Sequence, residues 1–304
     1  MARFIQLHLL TSYPPSCLNR DDLGRPKTAR MGGHQRLRVS SQCLKRTWRT
    51  SDLFQQALGD HIGVRTKDMG LRVYRRLKEK GVGDEDATDW AEDIIDVFGK
   101  TERKRKSEPL RHLQLKQLAH FSPQEQEDIR DLVDTLAEEG RAPTGEELEL
   151  LRNDHRAADI GMFGRMMADS TDYSQDGAVQ VAHALTVHEA AVEEDFFSGV
   201  DDLNDGFFSA VDQINGTTIS DGEDIERDDE GAAHLGEKEF GAGVFYQYIC
   251  IDRDLLVENL EGDEDLAETA IRALTEAAAT VAPSGMQNSY GSRARASYLL
   301  AEKG

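Results

Sequence analysis

Cysteine is nearly missing from this chain of 304 residues: Cys17, Cys43 and Cys250 are odd in number, far apart and free of any CxxC pair. Such spacing excludes a disulfide framework and fits a reducing compartment, the cytoplasm. Long apolar runs are missing too. No stretch of about 18 apolar residues occurs, so no segment is expected to span a membrane. The opening "MARFIQLHLLTS" is broken by Gln6 and His8 and has little basic charge. It reads as a half-buried first strand rather than a secretory signal. His183 and His188 are five apart and do not share a helical face, so neither a metal nor another cofactor is expected. Gly32-Gly33 is followed by no GKS or GKT, and no G-x-S-x-G elbow occurs.

Positive charge is scarce overall. Lys and Arg number 36 against 57 Asp and Glu, a net charge of −21 with pI near 4.8. A general polyanion binder carries a basic footprint, and this chain as a whole does not. Locally it does: residues 17–49, "CLNRDDLGRPKTARMGGHQRLRVSSQCLKRTWR", hold nine cations and two acids, net +7. The acidic remainder would confine binding to that face. The competing reading is a salt-adapted metabolic enzyme whose acidic surface is only solvation.

At 38% hydrophobic and 31% charged, the chain can form a core of one or two domains beside long solvated segments. Residues 11–35 hold Pro14, Pro15, Gly24, Pro26, Gly32 and Gly33 and read as a loop. In "QRLRVSS", Leu37 and Val39 alternate with Arg36 and Arg38. A helix is expected from the Ser40–Ser41 pair, with Leu44 and Trp48 as its apolar stripe and Gln42, Lys45 and Arg49 on another face. Residues 52–158 read as mainly helical. The candidate helices are "LRVYRRLKEKG", "ATDWAEDIIDVFGK", "PLRHLQLKQLAHF", "SPQEQEDIRDLVDTLAEEG" and "TGEELELLRNDH". Ser122-Pro123 marks a helix start and Gly140 a stop.

From Ile160 onward, "DIGMFGRM", "AVQVAHALTVH" and "GVFYQYICID" read as strands. Val179, Val181, His183, Leu185 and Val187 fall on one side of the second. "EDLAETAIRALTEAAATVA" is a long helix, and the tail opens a further strand. Between the strong strands, residues 193–230 carry fourteen acids and one base. They contain a near-repeat, "FFSGVDDLN" from Phe196 and "FFSAVDQIN" from Phe207. Two readings stand for it: a hairpin with matching arms turning at Asn204-Asp205-Gly206, or a local duplication that lengthens a loop.

The face of Arg36, Arg38 and Ser40 runs into that of Gln42, Lys45 and Arg49. Strand cations, orphan helix amides and helix cations are therefore expected to meet as an anion site. Arg20, Lys27 and Arg30 continue the cations along the loop, which suits a phosphodiester better than one small anion. Phe196 and Phe197 are adjacent aromatics, one free to pack while the other stacks on a base. Arg103, Lys104, Arg105 and Lys106 form a second basic cluster. It could touch the backbone of a second strand, target DNA, although a solvated helix end is the commoner meaning. Asp21 and Asp22, in a basic loop, could hold a metal or act as a base, but no second acid is placed by sequence to complete such a site.

"FIQLHLLTSYPPSCLNRDDLGRPKTARMGGHQRLRVSSQCLKRTWRTS" resembles the N-terminus of the CasC family. These are backbone subunits of the type I-E CRISPR surveillance complex, Cascade. "GRMMADS", "DGAVQVAHALTVHEAAVEEDFFSGVDDL", "GAAHLGEKEFGAGVFYQY" and "APSGMQNSYGSRARASYLLAEKG" resemble family segments in the same order. The resemblance implies an α+β fold: an RRM-like, ferredoxin-like palm (1–51 and 159–304), an inserted helical fingers domain (52–158) and a thumb hairpin at about 193–234. It implies a non-catalytic, cytoplasmic antiviral subunit that lines up in copies along a CRISPR RNA as a helical filament. Its partners would be that RNA, further copies of itself, other Cascade subunits and target DNA read by guide pairing.

The family's guide-phosphate positions match Arg20, Lys27, Ser40, Gln42, Lys45 and Arg49. Its thumb positions match Phe196, Phe197 and His234, and Met166 matches the position beside the displaced nucleotide. The longer thumb leaves open which Phe pair forms the wedge. Family members usually continue beyond Gly304, and a missing strand would leave an edge. Related backbone subunits cut RNA with an acid in a comparable loop. The alternative function is therefore a guide-directed RNA endonuclease using Asp21 or Asp22.

Overall fold

The structure, a computed structural model, describes residues 3–153, 156–199 and 234–304. An eight-stranded antiparallel sheet and a set of helices make a mixed α+β fold. The central path runs β10 (Tyr298–Lys303), β1 (Phe4–Ser16), β9 (His234–Asp252), β7 (Ala184–Thr186), β3 (His34–Val39) and β2 (Thr28–Met31). β6 (Val179–Val181) and β8 (Glu193–Gly199) also pair with β9. The two longest strands lie at the centre: β1 pairs with β9 from Phe4↔Asp252 to Ser16↔Gly241, with a register shift between Tyr13 and Ser16. The Pro14-Pro15 pair sits at that shift, where two missing N–H donors cost no ladder bonds.

One sheet face is buried by helices. Leu7, Leu9, Leu37, Val39, Ile249 and Ile251 join Leu44 and Trp48 of α1 (Ser41–Arg49) in one apolar cluster. Phe54 and Leu58 of α2 (Asp52–Leu58) belong to it as well. A second apolar cluster is built from α3 (Met69–Glu79), α4 (Asp84–Asp96) and α5 (Pro123–Glu139), with Leu113, Leu115 and Phe121. The short sheet of β4 (Val64–Thr66) and β5 (Ala119–Phe121) flanks it. The chain thus holds two cores of separate membership, each burying side chains worth about 1.5–3 kcal/mol apiece. α6 (Ala158–Phe163) returns the chain to the first cluster, followed later by α7 (Arg253–Asn259) and α8 (Glu264–Thr280). α8 lays Leu266, Ala267, Ala270, Leu274, Ala277 and Ala278 on it at helical spacing. The short α9 (Gln287–Tyr290) precedes β10.

Several expectations held. α5 opens with a full capping box, Ser122 Oγ accepting from Glu125 N and Glu125 from Ser122 N, and stops at Gly140. Others are corrected. "PLRHLQLKQLAHF" is not an α-helix: it forms a short 3-10 turn at Arg111–Leu113 and then β5. Its backbone bonds go outward, Leu115 N to Lys67 O and Lys116 N to Lys100 O, so tertiary pairing overrides a helical leucine pattern. "TGEELELLRNDH" forms turns rather than a helix over its described residues. "DIGMFGRM" is mostly helix α6 rather than strand, too short for its period to show. "AVQVAHALTVH" splits into β6 and β7; the break at 182–183 flips the alternation, burying Ala184 and Thr186 and exposing Val187. The expected loop 11–35 contains the end of β1 and all of β2.

Candidate nucleic-acid interface

Asp21 organises the basic loop. Its carboxylate accepts from the amides of Leu23 (3.0 Å) and Arg25 (2.9 Å) and from Arg25 Nε (3.3 Å). Those donors, the Arg25 amide first, hold the Asp21 carboxyl below its ordinary range. The loop then closes on itself, Lys27 N donating to Asn19 O at 2.8 Å. Asn19 Oδ1 accepts from Ser40 N at 2.9 Å, tying the loop to the start of α1. Arg20 and Lys27 are thereby carried to the flank of that helix. Arg20 and Arg46 line an open cavity of about 830 Å³ with Asn19, Thr47, Ser51 and Gly285. Arg46 was not singled out from sequence, although its i, i+4 spacing from Gln42 was the available signal. Cys43 stands among these cations, but burial dominates and pushes its thiol up.

The helix start is partly spent on its own fold. Ser40 is buried, and its Oγ accepts from Cys43 N at 3.3 Å. The Ser41 amide donates to His183 Nδ1 at 3.3 Å. Two first-turn amides therefore have protein partners, and side-chain charge is left as the main attraction for an anion. Gln42 is exposed. Lys45 is half-buried with its Nζ 5.4 Å from the Phe163 ring centroid. Among the described residues it has no carboxylate partner, and burial pulls its pKa below the ordinary lysine value.

Three predicted cations lie elsewhere. Leu37 and Val39 face the helices, so Arg36 and Arg38 lie on the opposite sheet face from α1. Arg36 donates to Thr186 O (2.7 Å) and Met31 O (3.3 Å). Arg49 turns inward: its Nη1 is 3.2 Å from Asp159 Oδ2, a fully buried carboxylate.

At the far end of β9, Phe197 pairs with Gly236 and Phe196 with Glu237. Phe197 lies over Gly236, where a Cβ would come within 2.5 Å of the ring, and Lys238 Nζ is 4.1 Å from its centroid. Phe196 is 65% exposed. One ring braces the hairpin and the other is exposed. Phe196–Gly199, the described start of the first copy of the near-repeat, pairs with β9. Phe207–Asn215, Asn204-Asp205-Gly206 and most of the acidic stretch lie outside the described residues, as does the side chain of His234. Met166, 79% exposed, lines a groove of about 210 Å³ with Lys100, Leu118 and Asp169. Arg103, Lys104, Arg105 and Lys106 are exposed on a loop rather than a helix end, with Lys104 paired to Glu92 at 3.0 Å.

Asp22 is exposed beside Asp21. No group of three or more His, Cys, Asp or Glu placed to hold a metal is found among the described residues. No described helix is long and apolar enough to cross a membrane.

The family model described as CT1975-like protein matches residues 5–215 and 206–304. The two spans overlap at 206–215, which contains the second copy of the near-repeat. One similar solved structure is a chain of a CRISPR RNA-guided surveillance complex, pre-nicking. It is 31% identical with a TM-score of 0.78, over 97% of this chain and 77% of that one. A second, from a CRISPR RNA-guided surveillance complex, is 27% identical with a TM-score of 0.67, over 98% of this chain and 75% of that one. No curated protein matches.

Proposed function

From the premise that the chain belongs to the CT1975-like family, we propose that it is a CasC-type backbone subunit of a type I-E Cascade complex. It binds the guide RNA, lines up with further copies along it and leaves target DNA to be read by base pairing. The observation that carries this reading is Lys45: a half-buried cation with no carboxylate partner among the described residues, on the same helix as Arg46, in a chain of net charge −21. Burying an unpaired charge is costly. A phosphodiester laid across α1 supplies the missing anion.

The sheet-bearing parts, 1–51 and 159–304, act as the palm and 52–158 as the fingers, although α2 packs with the palm's core. Residues 193–234 form the thumb over the guide, with Phe196 as its contact ring and His234 near the RNA. Met166 offers an apolar ledge to a displaced nucleotide, and Arg103–Lys106 a solvated basic surface to target DNA. The subunit holds RNA without cutting it; Asp21, one of the two candidate acids, spends its carboxylate on the loop's own amides. Guide binding should follow a log–log salt dependence whose slope falls by about 0.7 in Lys45→Ala, one lost phosphate on a single strand. An unchanged slope would remove Lys45 from the guide path. Regular cleavage of complementary RNA that Asp22→Ala abolishes would favour the endonuclease instead.

A further inference from the structure

The two apolar cores share no buried residue, and a buried polar cluster links elements of one to elements of the other. Asp159, at the start of α6, has no exposed surface. Its Oδ2 accepts from His120 Nε2 (2.8 Å) and Arg49 Nη1 (3.2 Å). Its Oδ1 accepts from the amides of Gly63 (2.9 Å) and Ile160 (3.1 Å). Arg49 ends α1; Gly63 leads into β4; His120 is in β5. One carboxylate thus gathers donors from the guide-face helix and from both strands beside the helical core. Gly63 admits no side chain here, since a Cβ would lie 2.6 Å from Phe121 O and 2.9 Å from His120 Nε2. Burial alone would push the Asp159 carboxyl up, but His120, Gly63 and Arg49 outweigh it and hold it below its ordinary range.

The chain of contacts continues past His120. Its carbonyl lies 3.5 Å from Arg165 Nη1, and that nitrogen is 2.8 Å from both oxygens of Glu125 in α5. Arg165 and Glu125 are both buried. Arg165 Nη2 donates to Arg152 O at 2.6 Å, and Glu125 accepts from the Ser122 and Arg152 amides. A satisfied polar network of this kind has one low-energy geometry, unlike an apolar seam that can slide.

We propose that Arg49 is a positioning residue and not a guide contact. With Asp159 and His120 it welds α1 to the helical unit, so that the guide face and the fingers move as one body. The weld itself does not depend on the proposed RNA function; only its withdrawal of Arg49 from the phosphates does.

The test uses full-length protein in two arms. Amide hydrogen exchange reads the weld directly. In Arg49→Gln and in Asp159→Asn, protection of the Gly63 amide should fall about tenfold or more, while the interiors of α4 and α5 stay protected. Arg49→Gln guards against Asp159→Asn failing to fold, because it leaves His120 and both amides in place. In the second arm, guide RNA binding is followed against salt. Arg49→Gln should leave the slope unchanged, whereas Lys45→Ala should lower it by about 0.7. Unaltered Gly63 protection in Arg49→Gln would overturn the weld, and a slope lowered to the extent seen in Lys45→Ala would overturn the withdrawal of Arg49 from RNA. A slope indifferent to Lys45→Ala would instead count against the guide-binding reading, leaving the weld to be judged on exchange alone.

Discussion

Lys45 and Arg49 stand one turn apart on α1 in opposite surroundings. Lys45 is half-buried without a carboxylate partner among the described residues, beside an aromatic ring. Arg49 meets a carboxylate that is itself fully buried and held by three further donors. Cations at i and i+4 read from sequence as one phosphate-binding stripe; here one is held by the fold and the other has no carboxylate partner among the described residues. A cation with no partner inside the protein is a site for an outside anion. A cation whose partner is buried cannot leave it without stranding that charge.

The largest expected effect lies on the Arg49 side. Asp159→Ala should cost about 3–5 kcal/mol of stability, as breaking a buried pair does, read from denaturant midpoints. A loss within about 0.5 kcal/mol, the range of ordinary surface substitutions, would show that the carboxylate is not structural. The thumb repeats the contrast on a smaller scale. Gly236→Ala drives a methyl into the Phe197 ring and should destabilise by about 1–3 kcal/mol, as overpacking does. Phe196→Ala should leave stability within about 0.5 kcal/mol of the parent while weakening guide binding. If Phe197→Ala weakened binding and Phe196→Ala did not, the two rings would have to exchange roles.

The smallest effect sharpens the Lys45 side. Its folded pKa is depressed below 10.5 by burial, so its charge is a cost to the fold at neutral pH. That cost is relieved as pH rises from the folded pKa toward the unfolded value. RNA-free wild type should therefore gain stability relative to Lys45→Met across that alkaline window, and bound RNA should raise the Lys45 pKa. A Lys45 pKa that RNA leaves unmoved would place the phosphates elsewhere.

Much of this was legible in the sequence where local chemistry decides. The alternation in β3, the Ser40 cap, the Leu44/Trp48 stripe and the Ser122-Pro123 helix start all formed as their residue types dictate. The basic loop was legible as a charge cluster, but the job of Asp21 as its turn-former was not, because that depends on which amides reach the carboxylate. Arg49 could not be sorted from Lys45 by spacing, since Asp159 lies 110 residues away along the chain. Residues 109–121 misled for a related reason: the partners that draw their backbone out of a helix, Lys67 and Lys100, lie far from them in sequence. Arg36 and Arg38 alternated as expected, yet alternation gives no indication of which sheet face the helices will cover.

The division of labour on α1 is tested most directly by the salt dependence of guide RNA binding in Lys45→Ala and Arg49→Gln, measured side by side on full-length protein. The account predicts a slope lower by about 0.7 in the first and the parent slope in the second. Equal slopes in the two variants, whether both lowered or both unchanged, would contradict it.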